Sequence, residues 1–286
     1  MSGTDPTNEA NAEPPPRPAG RGWRRALLER HRWVTFVLPL AVFMLAGSLE
    51  PKPPESGVAD GWLAIPYGYY PIVYTAKIAL TVAAILFVLP GLALCAGLPT
   101  PHSRQRGQET CAERVVSPLA VLVGLVGGVA WVGLCRLGLE QKLLAPVGLD
   151  GLLGLGTRSA FNPFDELQDY PAACAWALLA VRFFGLVVVI AVAEELFLRG
   201  FAMRFVIQAN WWEVPFGRVS ATAVVVGTLV PMLMHPAELL AAAVWFSLVT
   251  WLMVKTKNLW DCVAAHAVTN LVLGIYVVFS GQWHLM

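Results

Sequence analysis

The sequence predicts an all-α fold, a polytopic transmembrane helical bundle of about seven spans. The chain has 286 residues, of which 57% are apolar and only 14% are charged, whereas a typical soluble domain has about 25% charged residues. Its mean hydropathy is +0.61. The apolar residues fall into long runs, each near or beyond the length needed to cross the hydrocarbon core of a bilayer.

The predicted spans follow one another along the chain and are separated by polar segments. They are residues 33–49, 72–94, 116–134, 172–193, 221–234, 237–254 and 259–279, of which 221–234 is the short one. No internal repeat is evident. Secondary transporters are typically built from repeats with broken helices, so the absence of a repeat makes a transporter only the third alternative for the function.

Three regions are predicted from this pattern. Residues 1–22 are polar and rich in proline, glycine and alanine, and residues 1–32 are expected to form a disordered, basic, cytoplasmic tail. Residues 33–171 hold the N-terminal spans and loops, and residues 172–286 hold the later spans, which carry the polar motifs described below. A cleaved signal peptide is not expected, because no clear small-residue cleavage site follows the first apolar run. The stretch 148–170 is glycine-rich and then polar, which fits either an external loop or a re-entrant segment.

Arginine and lysine predict the orientation. They concentrate before the first span, after the second, after the fourth and after the sixth, which predicts a cytoplasmic N-terminus and an external C-terminus. The first two groups are Arg21, Arg24, Arg25, Arg30 and Arg32, then Arg104, Arg106 and Arg114. The expected location is the inner membrane of a bacterial cell.

Composition also limits the partners. The net charge of +1 gives no support to a nucleic-acid partner, and the expected surroundings are a lipid bilayer. The five cysteines are scattered, with neither a disulfide framework nor a CxxC metal motif.

The end of the fourth span carries two adjacent acids, Glu194 and Glu195. An intramembrane carboxylate is costly and is a functional residue by default. Glu195 and Arg199 have the i,i+4 spacing of a helical ion pair. Glu194 lies about 100° round the helix without a local cation, so it can accept a proton from water. The alternative is that both acids belong to a structural ion-pair network. We expect this helix to continue through Phe205, because only then can Glu194 meet the next motif.

Two later spans each carry a histidine. His235 ends the fifth span between Pro231 and Pro236, which break the helix and free backbone carbonyls; an ordinary histidine in an external turn is the alternative. His266 and Asn270, spaced i,i+4 on the seventh span, face the same way. Their imidazole and amide can donate to a developing oxyanion, although a polar contact between helices has the same appearance.

In this order, the motifs Glu194-Glu195-x-x-x-Arg199, His235 and His266-x-x-x-Asn270 resemble the CPBP family of CAAX-processing and bacteriocin-processing intramembrane proteases, also called Abi proteins. The similarity covers about residues 172–279. Where the family often has an aromatic residue four positions before the middle histidine, this chain has Pro231. Together with Trp176 and Arg182, the first motif is also similar to the exosortase-associated subgroup.

The resemblance implies an intramembrane endopeptidase that acts on a membrane protein or lipidated peptide. Glu194 and His235 would activate water, His266 and Asn270 would stabilise the oxyanion, and Glu195 with Arg199 would support the architecture. A non-enzymatic scaffold or bacteriocin-immunity protein that keeps the fold is the alternative function.

The resemblance leaves the use of metal open. One carboxylate and two imidazoles, Glu194, His235 and His266, have the composition of a His₂Glu zinc site. No HExxH motif specifies it, and the sequence offers no carboxylate near His266 except Asp261. No cofactor is therefore firmly implied, with Zn²⁺ as the alternative.

Overall fold

A computed structural model of the chain describes residues 22–53, 65–95, 116–139 and 160–285, together with positions 142 and 146. This part of the chain is helical and contains no strand. Its principal helices are α1 (Trp23–Arg30), α2 (Arg32–Gly47), α3 (Tyr70–Cys95), α4 (Pro118–Leu137), α5 (Ala172–Phe205), α6 (Ala221–Met234), α7 (Leu239–Thr256) and α8 (Leu259–Ser280).

The predicted polytopic bundle is confirmed. Among the described residues, five helices are long and apolar enough to cross a membrane, namely α3, α4, α5, α7 and α8 with their flanking turns. The helices α2 and α6 are equally apolar but have only 16 and 14 residues. Each of the seven predicted spans therefore corresponds to one helix, and two of them are shorter than a full crossing requires.

The predicted disordered tail of residues 1–32 is wrong for its last third, because residues 23–30 form α1. This helix packs against α3. Leu28 is fully buried, and the guanidinium of Arg24 donates to the carbonyl oxygens of Phe87 and Leu86. The basic residues of this tail thus include a cation that binds backbone carbonyls of a neighbouring helix. Residues 1–21 lie outside the described part.

Two further predictions fall partly or wholly outside the described residues. The cations Arg104, Arg106 and Arg114 are not among them. Of the stretch 148–170, only residues 160–170 are described; they form an irregular segment and one helical turn, Pro163–Glu166. Phe161 in this segment is buried and stacks on Tyr70 with ring centres 4.5 Å apart.

The expected continuation of the fourth helix is confirmed, since α5 runs without a break over 34 residues. Its winding is not uniform. Residues 185–190 and 196–202 are π-helical, and the ordinary turn Ala191–Glu195 lies between them. Such π-helical segments are rare and occur frequently at functional sites, because they displace the register of the side chains.

The last helix, α8, is fixed against α4. The backbone N–H and hydroxyl of Ser117 donate to the two carboxylate oxygens of Asp261 over 2.9 and 3.0 Å. Two turns later, the hydroxyl of Thr269 donates to the carbonyl of Gly124 over 2.9 Å. These contacts lie on either side of His266 and therefore set the height at which its imidazole enters the bundle.

Candidate active site

Glu195 is the centre of a fully buried charge cluster. Its Oε1 atom lies 2.8 Å from a guanidinium nitrogen of Arg199, one turn further along α5. Neither side chain is exposed to solvent. Arg199 also donates to the carbonyl of Phe246 on α7 over 3.1 Å, and the Phe246 ring lies 5.1 Å from the guanidinium carbon. The i,i+4 pair that the spacing predicts is therefore present, and it connects two helices.

The same carboxylate oxygen binds a third helix. The Nδ1 atom of His266 lies 2.9 Å from Oε1 of Glu195. Because a carboxylate only accepts, Nδ1 carries the proton in this contact. The sequence shows no spare carboxylate near His266 except Asp261, which lies five residues away and off its face; in the structure Asp261 binds Ser117, and Glu195 supplies the carboxylate. The sequence could not show this, because Glu195 and His266 are distant in the chain.

Glu194 is directed to a cavity of about 400 Å³. Its Oε2 atom lies 3.8 Å from Nε2 of His266, which is too long for a direct hydrogen bond. Its side chain is one-tenth exposed, whereas that of Glu195 is completely buried. The two adjacent acids thus differ in environment: Arg199 neutralises Glu195, while Glu194 borders a space that can hold a substrate.

His235 lines the same cavity. It follows the last residue of α6. The helix ends there with a hydrogen bond from the His235 N–H to the Met232 carbonyl, three residues earlier, over 3.0 Å. That closure leaves the Pro231 carbonyl free to bind the imidazole, and Nδ1 of His235 lies 2.8 Å from it. A carbonyl oxygen only accepts, so Nδ1 donates and the lone pair of a neutral ring is at Nε2. The edge of Trp131 packs against the ring at 5.5 Å.

Asn270 borders the cavity and binds the first π-helical segment of α5. Its side-chain nitrogen donates to the carbonyl of Leu186 over 2.7 Å. A primary amide has two N–H donors, so one N–H is engaged in this contact and the second is available to a ligand. The structure therefore brings Glu194, His235, His266 and Asn270 to the wall of one cavity, although they come from three helices.

The alternative metal site has a mixed fit. Within the described ranges, no group of three or more His, Cys, Asp or Glu side chains is arranged so that it could hold a metal ion. However, a carboxylate on Nδ1 of a histidine is the usual support of a zinc ligand, and Glu195 supplies one to His266. This contact removes one of the arguments against zinc that the sequence offered.

The prediction missed the contribution of the N-terminal half. The cavity wall also includes Glu50, from the segment after α2, and Tyr74 and Lys77 from α3. Lys77 is buried and paired with Glu50. It had a signal in the sequence, because it is the single charged residue of the run 72–94, and charges inside membrane helices default to function. The aromatic wall had none, since tyrosines are common at membrane interfaces.

Comparison with known proteins gives one family. Residues 176–272 match the model of the type II CAAX prenyl endopeptidase Rce1-like family. That range is about one third of the chain and contains all six residues of the predicted motifs. No curated protein and no solved structure matches significantly. The predicted resemblance to CPBP proteases is confirmed, while the exosortase-associated subgroup stays a prediction. Residues 176–272 are thus similar to the Rce1-like domain of the CPBP family, whose members are intramembrane proteases.

Proposed function

We propose that this protein is an endopeptidase that hydrolyses a peptide bond of a membrane-associated or lipidated protein, with a water molecule activated by Glu194 and His235. One observation carries the proposal: of two adjacent carboxylates, the one paired with arginine is sealed inside the bundle, and the other borders the cavity. A general base needs both access to water and freedom from a permanent cation.

The chemistry follows from the positions of the donors and acceptors. Glu194 accepts a proton from water, and Nε2 of His235 orients that water through its lone pair. The hydroxide oxygen attacks the carbonyl carbon of the scissile bond, and the carbonyl oxygen becomes an oxyanion. The second N–H of Asn270 and, in its imidazolium form, Nε2–H of His266 donate to this oxygen. The intermediate collapses with cleavage of the C–N bond, and the proton held by Glu194 passes to the leaving amine.

The buried trio of Glu195, Arg199 and His266 has a supporting role in this proposal. With Nδ1 held by Glu195, the imidazole of His266 keeps one orientation, and only Nε2 is available to the substrate. Preorganised donors of this kind need no rearrangement as the negative charge develops, which is the main source of their catalytic effect. Glu195 therefore acts on the reaction through His266.

The substrate class rests on the setting of the site. An integral membrane protein meets its substrate at the bilayer, and the matched family is described as CAAX prenyl endopeptidases. A prenylated cysteine followed by three residues is such a substrate. The proposal includes a cytoplasmic N-terminus, an external C-terminus and a location in a bacterial inner membrane. The substrate would then reach the cavity from within that membrane.

The test is proteolysis by the purified protein in detergent, with a fluorogenic peptide that carries a farnesylated cysteine followed by three residues. Glu194→Gln is expected to lower the rate by about 10²- to 10⁴-fold, the usual cost of losing a general base. Glu213→Gln is the matched control, because Glu213 is exposed in the loop after α5. Substantial activity in Glu194→Gln would exclude the role of Glu194 in water activation. A loss of equal size in the control would show that the loss is not specific to Glu194.

A further inference from the structure

A second polar group borders the cavity, at the level of α3. The ammonium of Lys77 forms an ion pair with the carboxylate of Glu50, and its nitrogen lies 4.2 Å from the ring centre of Phe43 and 4.5 Å from that of Tyr74. Lys77 is only 6% exposed. None of these four residues belongs to the matched domain, yet each of them lines the cavity that holds Glu194.

Among the described residues, cations exceed carboxylates around this part of the cavity. Lys52 and Lys77 line it together with Glu50. Arg182, which is buried and donates to the Phe161 carbonyl over 2.6 Å, lies close enough to Lys77 and Tyr74 to interact with them electrostatically. Glu166 is a second nearby acid in the described part of the chain, and its carboxylate interacts electrostatically with Tyr67. The field in this region therefore favours an anionic ligand group.

The distance between the two polar groups fits a short peptide. A Cβ atom on Gly185 of α5 would meet the hydroxyl of Tyr74 and the side chain of Ile78, so Gly185 marks the level of Lys77. Glu194 follows nine residues later on the same helix. At 1.5 Å per residue this is roughly 13 Å, and the π-helical turn shortens it slightly. Three or four extended residues span roughly 10–14 Å.

We propose that Lys77 binds the C-terminal carboxylate of the peptide substrate and so positions the scissile bond, three or four residues before the terminus, at Glu194. The proposal rests on the proposed peptidase function. The existing pair with Glu50 is compatible with it, because an ammonium carries three N–H donors and can donate to a second carboxylate. Glu50 then acts as a competitor and limits how tightly the substrate carboxylate is held.

The rival explanation is that Lys77 and Glu50 only fasten α3 to the end of α2. The two explanations predict opposite effects of the substitution Glu50→Gln. If the pair is only structural, Glu50→Gln and Lys77→Met damage the protein in the same way. If Lys77 is a carboxylate subsite, Glu50→Gln frees the ammonium and strengthens the preference for a carboxylate, whereas Lys77→Met removes that preference.

The experiment compares two farnesylated peptides of one sequence, one ending in a carboxylate and the other in a carboxamide. For the wild-type protein, KM for the carboxylate is expected to be about 10- to 100-fold lower, as for a hydrogen bond to a charged group. In Lys77→Met the two KM values become equal, because the preference for the carboxylate is lost. Lys77→Arg keeps part of the preference, and Glu50→Gln widens it.

Binding of the same two peptides to the Glu194→Gln protein, measured by fluorescence anisotropy, separates this inference from the proposed function. One outcome is that the wild-type protein hydrolyses neither peptide while the carboxylate form still binds more tightly than the carboxamide, and only in proteins that keep Lys77. In that case the subsite stands and the peptidase proposal fails. If the wild-type protein hydrolyses the two peptides with equal KM, or binds them with equal affinity, the carboxylate subsite is overturned.

Discussion

The imidazole of His266 donates to the same carboxylate oxygen of Glu195 that binds a guanidinium nitrogen, with Nδ1 and Oε1 2.9 Å apart. One buried oxygen thus holds together α5 and α8, and through Arg199 it also reaches the backbone of α7. The carboxylate that sequence spacing assigns to a local ion pair is therefore also the residue that orients the second histidine of the site.

Glu195→Gln and Arg199→Ala are expected to lower stability together with activity. Removing one partner of a buried pair leaves a charge without compensation, which costs about 3–5 kcal/mol. Thermal unfolding in detergent and the yield of folded protein measure this loss. Arg218→Ala, in the exposed loop before α6, is the matched control and should unfold like the wild type. Variants of the pair that are fully stable but inactive would make the pair catalytic.

His266→Ala and Asn270→Ala are expected to lower kcat more than they raise KM. A donor to the oxyanion strengthens in the transition state, and losing one costs roughly 10²- to 10³-fold in kcat. Asn270→Ala should also lower the unfolding temperature, because the Leu186 carbonyl loses its donor at a cost of about 1–3 kcal/mol. His284→Ala, whose side chain is exposed after the end of α8, is the control for histidine loss. A rise in KM with normal kcat would indicate substrate positioning instead.

The sequence predicts the fold well, because apolar runs of about 20 residues have few alternatives in a bilayer. It also predicts the Glu195–Arg199 pair, since both residues are on one helix and their spacing determines their contact. The continuation of α5 to Phe205 could be argued from the need for Glu194 to reach His235.

Contacts between distant residues were not predictable in the same way. Nothing in the spacing shows that Glu195 supports His266, or that Asn270 binds the Leu186 carbonyl. The latter contact falls on a π-helical segment of α5, and the sequence offered no signal for such a segment. The polar tail was misjudged at α1 for a related reason: Arg24 finds its acceptors on α3, at positions that composition does not reveal.

The contact between α4 and α7 gives a prediction about packing. A Cβ atom on Gly127 of α4 would lie 2.2 Å from the indole ring of Trp245 on α7, and Trp245 in turn packs edge-on against His266 with ring centres 6.1 Å apart. Gly127→Ala is expected to lower the free energy of unfolding by about 1–3 kcal/mol through overpacking, and to reduce kcat because the indole supports the imidazole.

The same helix offers the control for this substitution. A Cβ atom on Gly133 meets nothing within 4 Å, so Gly133→Ala should be neutral or slightly stabilising, as alanine is the better helix former. Chemical denaturation followed by tryptophan fluorescence compares the two variants. Equal stability of both would mean that Trp245 can move aside at no cost, and that α7 does not hold His266 in place.

The last prediction concerns metal. If Glu194 and His235 activate water on their own, prolonged treatment with a zinc chelator should leave the cleavage rate nearly unchanged, and elemental analysis of the purified protein should find substoichiometric zinc. The physical reason is the arrangement of the side chains: within the described ranges, no group of three or more His, Cys, Asp or Glu residues is placed so that it could hold a metal ion. Nε2 of His266 and Oε2 of Glu194 are 3.8 Å apart, whereas two ligands of one tetrahedral zinc ion, with bonds of about 2 Å each, lie about 3.3 Å apart. Zinc at one equivalent, with activity lost to the chelator and restored by added metal, would replace the metal-independent mechanism with a His₂Glu metalloprotease.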